Sequence, residues 1–272
     1  MHVTKRSLTV PLVLLLSLVA AACTVDVAAT TLTVVQAQED GFLQNGDEPY
    51  VAVIKWRVIP GTPGSASAEF IGNLSELATG ADDGDVLAIP AAMGAVHFDD
   101  VQNSSFGALL NDGLVPELVG TVMVAMESDL TPWGTINNLM NDVEAALEAE
   151  LVNQVEPLTI AQLTDPQAIA DALSTAAANV EAAVTPGVWD SILLFLGSLG
   201  NPDDPIDVGF TVWIAAYGSL GQLIDASLVS ALPEGASGGV WFNNVDPINT
   251  TLRFSGDGAI YDVDITATVS YP

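Results

Sequence analysis

Positive charge is almost missing from this chain. Its 272 residues hold five Lys and Arg against 34 Asp and Glu, a formal charge of −29. Two of the five, Lys5 and Arg6, lie in an N-terminal stretch without acids. Beyond it only Lys55, Arg57 and Arg253 remain, and the balance deepens from −29 to −31. Phosphate contacts need Lys and Arg, so nucleic acid is excluded as a partner. Electrostatic docking on anionic lipid headgroups is excluded for the same reason. Lys55 stands inside a strand-like run, and no G-x-x-x-x-G-K-[ST] or helix-opening G-x-G-x-x-G occurs. ATP and lysine Schiff-base chemistry are therefore disfavoured.

Cysteine and histidine are equally scarce. Cys23 is the single cysteine, so no internal disulfide can form and the fold must rest on its core. The roughly 250 residues beyond the leader are enough to bury one. His97 is the one histidine past the leader, which leaves zinc poorly served. In AVHFDDV, alternation puts Val96 and Phe98 on one face and His97 with Asp99 on the other. A Ser-His-Asp site there would lack its nucleophile, because no G-x-S-x-G elbow exists. The expectation is a surface histidine beside a carboxylate.

What is present begins with a leader. MHVTKRSL carries Lys5 and Arg6, then TVPLVLLLSLVAAA forms an apolar run that ends at small residues. The run is shorter than the ~20 apolar residues of a membrane span, and no basic stop-transfer flank follows it. Its end, Leu18-Val19-Ala20-Ala21-Ala22-Cys23, resembles a bacterial lipoprotein signal. In that class a leucine and small residues precede an invariant cysteine, which is lipidated and becomes the new N-terminus. Ala20 stands where that class has leucine, and Ala20-Ala21-Ala22 also suits ordinary A-x-A cleavage. The resemblance implies export, a lipid on Cys23, membrane association through that anchor alone, and a short tether over residues 24–29. The alternative is a secreted, free protein.

Half of the residues are apolar, so the remainder is globular. Dense β-branched and aromatic runs, TTLTVVQAQ, YVAVIKWRVI, SAEFIG, DVLAIP, GAVHFDDV and ELVGTVMVAME, predict strands up to Glu127. Thr131-Pro132, Asp165-Pro166 and Thr185-Pro186 then read as helix starts. Leu139, Val143, Leu147 and Leu151 recur every four residues behind the first of them. VWDSILLFLGSL, residues 188–199, reads as a short buried helix. Strand-like sequence returns in DVGFTVWIAAY, GGVWFNNV, TLRFSGD and AIYDVDITATVSY, the last with a phase slip between Ile260 and Val263 that suggests a bulge or a start near residue 261. The pattern predicts an α+β chain, residues 30–272 forming one mainly antiparallel β-sandwich interrupted by a helical insertion over about 131–200.

Carboxylates are the main chemical resource. Asp82, Asp83 and Asp85 share one loop, and Asp203, Asp204 and Asp207 lie where the chain leaves the helical stretch. Clustered loop acids suit calcium, which takes 6 to 8 oxygens, although neither stretch fits the EF-hand spacing. Asp and Gly also make ordinary turns. Trp133 and Trp241, beside glycine-rich breaks, are the candidates for exposed ligand-stacking rings. Together these features predict an exported or lipid-anchored envelope module that binds an extracellular partner or a divalent cation without catalysis. Two other readings are a glycan hydrolase using paired carboxylates and a membrane-active protein whose apolar helices insert at low pH.

Overall fold

The structure, a computed structural model, describes residues 22–37, 47–105, 108, 113–128, 133–159, 205–217, 236–242, 246–256 and 258–271, with isolated positions between 162 and 175. Eleven strands form two sheets among these residues. The first sheet holds β1 (Cys23–Gln36), β4 (Val86–Ala88), β5 (Ala95–Val101), β10 (Ile248–Gly256) and β11 (Ala259–Ser270). Its order is β10-β11-β1, with β4 and β5 pairing end to end along the far side of β1, every pair antiparallel. The second sheet runs β3 (Ser67–Phe70), β2 (Pro49–Val58), β7 (Leu118–Glu127), β8 (Pro205–Tyr217). β6 (Ser104–Ser105) and β9 (Ala236–Phe242) both pair with β8.

Residues 24–29, expected to be a tether, are instead the first half of β1. Val25, Val27 and Ala29 are buried, and then the phase changes so that Leu32 and Val34 face the core. Register with β11 skips Thr30, which makes that residue the extra one of a bulge. A one-residue insertion moves every later side chain to the other face, and the sequence follows it by placing Thr30 and Thr31 side by side. A second irregularity falls at Val35. The slip expected in β11 is absent: Ala259, Tyr261, Val263, Ile265, Ala267 and Val269 alternate inward without a break. The bulges lie in its partner.

The second sheet is mixed rather than antiparallel. β2, β3, β7 and β8 pair antiparallel, but β6 and β9 run parallel to β8. A parallel pair needs a crossover of a dozen or more residues, and positions 218–235 between β8 and β9 supply that length. β7 is buried at all ten positions, which explains its near-continuous apolar run. Thr121 is accommodated there because its Oγ1 lies 2.8 Å from Thr211 Oγ1, while its amide donates to the same oxygen at 2.9 Å. Gly120 lets the Trp56 ring approach: a Cβ would stand 2.6 Å from that ring. Leu252 and Phe254 of β10 reach Gly209 of β8, so the sheets contribute to one core.

Of the helical stretch, α2 (Trp133–Glu150) and a π-helical turn, Leu151–Val155, are described; α1 (Ala91–Gly94) is a single turn before β5. Ile136, Leu139, Met140, Val143, Leu147, Leu151 and Val155 are all buried, the four-residue stripe read from the sequence with one π-bulge at its end. Thr131, Pro132, Asp165, Pro166, Thr185, Pro186 and the apolar segment 188–199 lie outside the described residues. None of the described helices is long and apolar enough to cross a membrane.

Candidate functional site

Cys23 opens β1 with its side chain 2% exposed. It pairs with Val101, and its thiol donates to the Val101 carbonyl at 3.5 Å. Burial pushes the thiol pKa up to about 11, against the lowering effect of an Asn103 hydrogen bond. A buried neutral thiol is unreactive. A lipid on Sγ would need the Cys23 side chain to leave its buried position beside the Val101 carbonyl.

The acids of residues 82–85 share one turn, and two of them accept backbone amides. The Asp82 amide donates to Asp85 Oδ2 at 3.0 Å and the Ala37 amide to Asp83 Oδ1 at 2.7 Å. Gly84, at φ +89°, donates to the Val34 carbonyl. Asp207 accepts from its neighbour Val208 N (2.7 Å) and from Ser255 N (3.1 Å) across to β10. Asp203 and Asp204 lie outside the described residues. Among the described residues, no three His, Cys, Asp or Glu side chains converge as metal ligands.

One of the two tryptophans differs from expectation. Trp241 is fully buried, its ring 5.8 Å from that of Trp213 and its indole N–H donating to the Asp246 carbonyl at 3.1 Å. It is not an exposed ring. The preceding Gly238 and Gly239 serve close packing: a Cβ on Gly239 would stand 2.9 Å from Ile248. Trp133 is half-buried and meets Tyr50 edge-on at 5.1 Å.

His97 does face solvent beside Asp99, as alternation requires. Nε2 lies 2.9 Å from Asp99 Oδ1, and Nδ1 lies 2.6 Å from Asp26 Oδ1 on β1. The two carboxylates hold its pKa above the ordinary value, Asp26 contributing most. They occupy opposite edges of the ring, so they cannot join it around one metal ion. β5 carries one extra residue between Phe98 and Val101, and Asp100 adopts φ +52° there, a conformation that Asp tolerates.

Four further carboxylates are buried: Asp47, Glu117, Glu127 and Glu156. Glu117, side chain 3% exposed, takes Arg57 in a two-pronged ion pair, Nε to Oε1 at 2.5 Å and Nη2 to Oε2 at 2.9 Å. The Gln102 amide also donates to Oε2 at 2.9 Å. This pairing raises the Arg57 pKa. Asp47, fully buried, accepts from Tyr261 Oη at 2.6 Å and so links the start of β2 to β11. Burial first, then Asp47, then the charges of Glu127 and Glu48, raise the Tyr261 pKa far above the phenol range. Glu127 is itself 1% exposed.

Glu156 follows the π-helical turn and is 6% exposed. Its Oε2 accepts from Gly64 N at 3.0 Å and its Oε1 from Ala66 N at 2.8 Å, which fixes the loop between β2 and β3. Glu144 of α2 likewise accepts from Phe70 N at 2.7 Å. Beside Glu156 lies a groove of about 430 Å³ lined by Pro60, Pro63, Val115, Pro157 and Leu158 among others. The loop closes on itself through Ser65 Oγ, which bonds both the amide and the carbonyl of Ile59 at 3.0 Å, and Glu156 adds a tie from a distant segment that nothing local in PGTPGS encodes.

No family model, no curated protein and no solved structure matches the chain.

Proposed function

We propose that this is an exported, non-enzymatic binding or structural module of the cell envelope, folded as a β-sandwich-like domain with a helical insertion. One observation carries the reading: three of the buried carboxylates, Asp47, Glu117 and Glu156, are acceptors for the fold. Glu117 and Glu156 hold backbone amides or Arg57, and Asp47 holds Tyr261. Catalytic carboxylates instead need an opening to substrate and a proton to move. Divalent cations enter this reading as counter-ions of an acidic surface.

Processing has two outcomes, and both put Cys23 first. The lipoprotein-type leader favours acylation of Cys23, with A-x-A cleavage alone as the alternative. Mass spectrometry of the natively processed protein decides: a diacylglyceryl adduct on Cys23 is expected, and an unmodified Cys23 would make the protein secreted and free. The hydrolase reading can be tested on Asp47 and Glu127, two acids whose charges both act on Tyr261, although both are within 1% of full burial. A screen on polysaccharides should show no turnover. Turnover abolished by Asp47→Asn or Glu127→Gln would replace the proposal.

A further inference from the structure

We propose that the groove beside Glu156 is a binding site for a small organic ammonium ion carried on an apolar stem. The inference deepens the binding-module reading and rests on it in one respect, that the bound ion is not turned over. The groove's volume, about 430 Å³, lies in the range of small-molecule sites. Its floor is apolar, with Val115 and Leu158 each 7% exposed, and three prolines, Pro60, Pro63 and Pro157, contribute rigid hydrocarbon. Rigid walls reduce the ordering that a ligand must impose on binding.

Charge selects the headgroup. Glu156 stands in the wall of this groove, and each of its oxygens takes one backbone N–H. A carboxylate oxygen has two lone-pair sites, so each retains acceptor capacity for an ammonium N–H. No Lys, Arg or His lines the groove among the described residues. The nearby bases are engaged elsewhere, Lys55 with Glu69 at 2.6 Å and Arg57 with Glu117. A carboxylate in a low-dielectric wall, on a chain of strongly negative net charge, attracts a cation and repels an anion. The apolar stem then separates a ligand from a mere counter-ion, since sodium gains nothing from Val115 and Leu158.

The test is an amide-resolved NMR titration of the protein with n-hexylammonium, and with 1-hexanol, hexanoate and methylammonium as comparisons. Hexylammonium should perturb Gly61, Gly64 and Gly113 saturably and bind about tenfold tighter than hexanol, as a charge-assisted bond implies. Hexanoate should not bind. Glu156→Gln keeps one acceptor for the loop and should remove the preference for hexylammonium over hexanol. Because that variant also loosens the loop, Thr62→Lys provides an independent check: Thr62 is exposed in the groove lining, and a lysine there should block hexylammonium while leaving the fold intact. Equal binding of methylammonium, or shifts spread over the acidic surface, would reduce the effect to counter-ion exchange and overturn the proposal. So would unchanged binding in Thr62→Lys. A capped lysine that bound tighter than hexylammonium would replace the small molecule by a partner's side chain. Chemical conversion of the probe would be seen in its own spectrum and would count against the binding-module reading instead.

Discussion

Removing Arg57 should expose how much the fold depends on its few bases. Arg57 projects from β2 and grips Glu117, which sits just before β7. In Arg57→Met the carboxylate keeps only the Gln102 amide and remains buried. Breaking a buried pair from one side costs about 3–5 kcal/mol, because a charge is left in low dielectric. Arg57 is itself 32% exposed, so water can enter behind it, and the lower end, about 3 kcal/mol, applies. For a domain of this size that is a fall in Tm of roughly 6–12 °C. Thermal and urea unfolding at neutral pH would measure it. The double variant Arg57→Met/Glu117→Gln removes the stranded charge while keeping an acceptor for Gln102, and it should recover stability to within about 1 kcal/mol of wild type. If Arg57→Met loses less than about 1 kcal/mol, or the double variant is no better than the single one, the buried charge is not what Arg57 neutralises.

Three other outcomes follow from the same contacts. His97 should titrate above its ordinary value of about 6.5 by imidazole NMR, since Asp26 and Asp99 favour its charged form. A raised folded pKa stabilises fully below the unfolded value and is lost as pH rises through the folded one. The stability gap between wild type and His97→Gln should therefore be wider at mildly acid than at mildly alkaline pH, and an equal gap at both refutes a stabilising pairing of His97 with Asp26 and Asp99. Trypsin should cut the folded protein first after Arg253, which lies on the edge strand β10, whereas cuts after Lys55 and Arg57 in β2 should appear only with global unfolding; an early cut in β2 would mean that the second sheet opens locally. Sodium chloride should raise Tm by screening repulsion, and calcium at matched ionic strength should add little, because Asp83, Asp85 and Asp207 already accept backbone amides. A calcium increment well beyond matched salt would point to a specific cation site.

The strands with clean chemistry were legible from sequence. β2 and β7 are dense in β-branched residues, and the α2 stripe at Leu139, Val143, Leu147 and Leu151 is a plain helical period. The first half of β1 was missed because residues 24–29 were given to a tether behind Cys23, although Val25, Val27 and Ala29 already alternate inward; the bulges at Thr30 and Val35 then break the period across the whole strand. The parallel placement of β9 was illegible because strand direction belongs to the connection rather than the strand. Trp241 was misplaced for a different reason. Glycines before it looked like an exposed break, but Gly238 and Gly239 are there so that Val212 and Ile248 can come close. Glu117 and Glu156 carry no sequence signal as sites, since their partners are 60, 90 and 92 residues away.

The acidity itself takes a different meaning once those partners are known. A chain with so few bases has few ammonium or guanidinium donors for its carboxylates, yet the backbone offers an N–H at almost every residue. The edges of turns and short strands leave some of these N–H groups without a ladder partner, and here acids from distant segments meet them: Asp83 at Ala37, Glu144 at Phe70, Glu156 at Gly64 and Ala66, Asp207 at Ser255. Each such bond is charge-assisted, stronger than a neutral one, and needs no positive side chain. The three bases past the leader serve the same purpose from the other side, each closing an ion pair inside a sheet, Lys55 with Glu69, Arg57 with Glu117 and Arg253 with Asp262. Those pairs leave the surface with net negative charge and little to offset it. A partner for such a surface is a cation, and specificity among cations has to come from apolar shape, which the groove beside Glu156 provides.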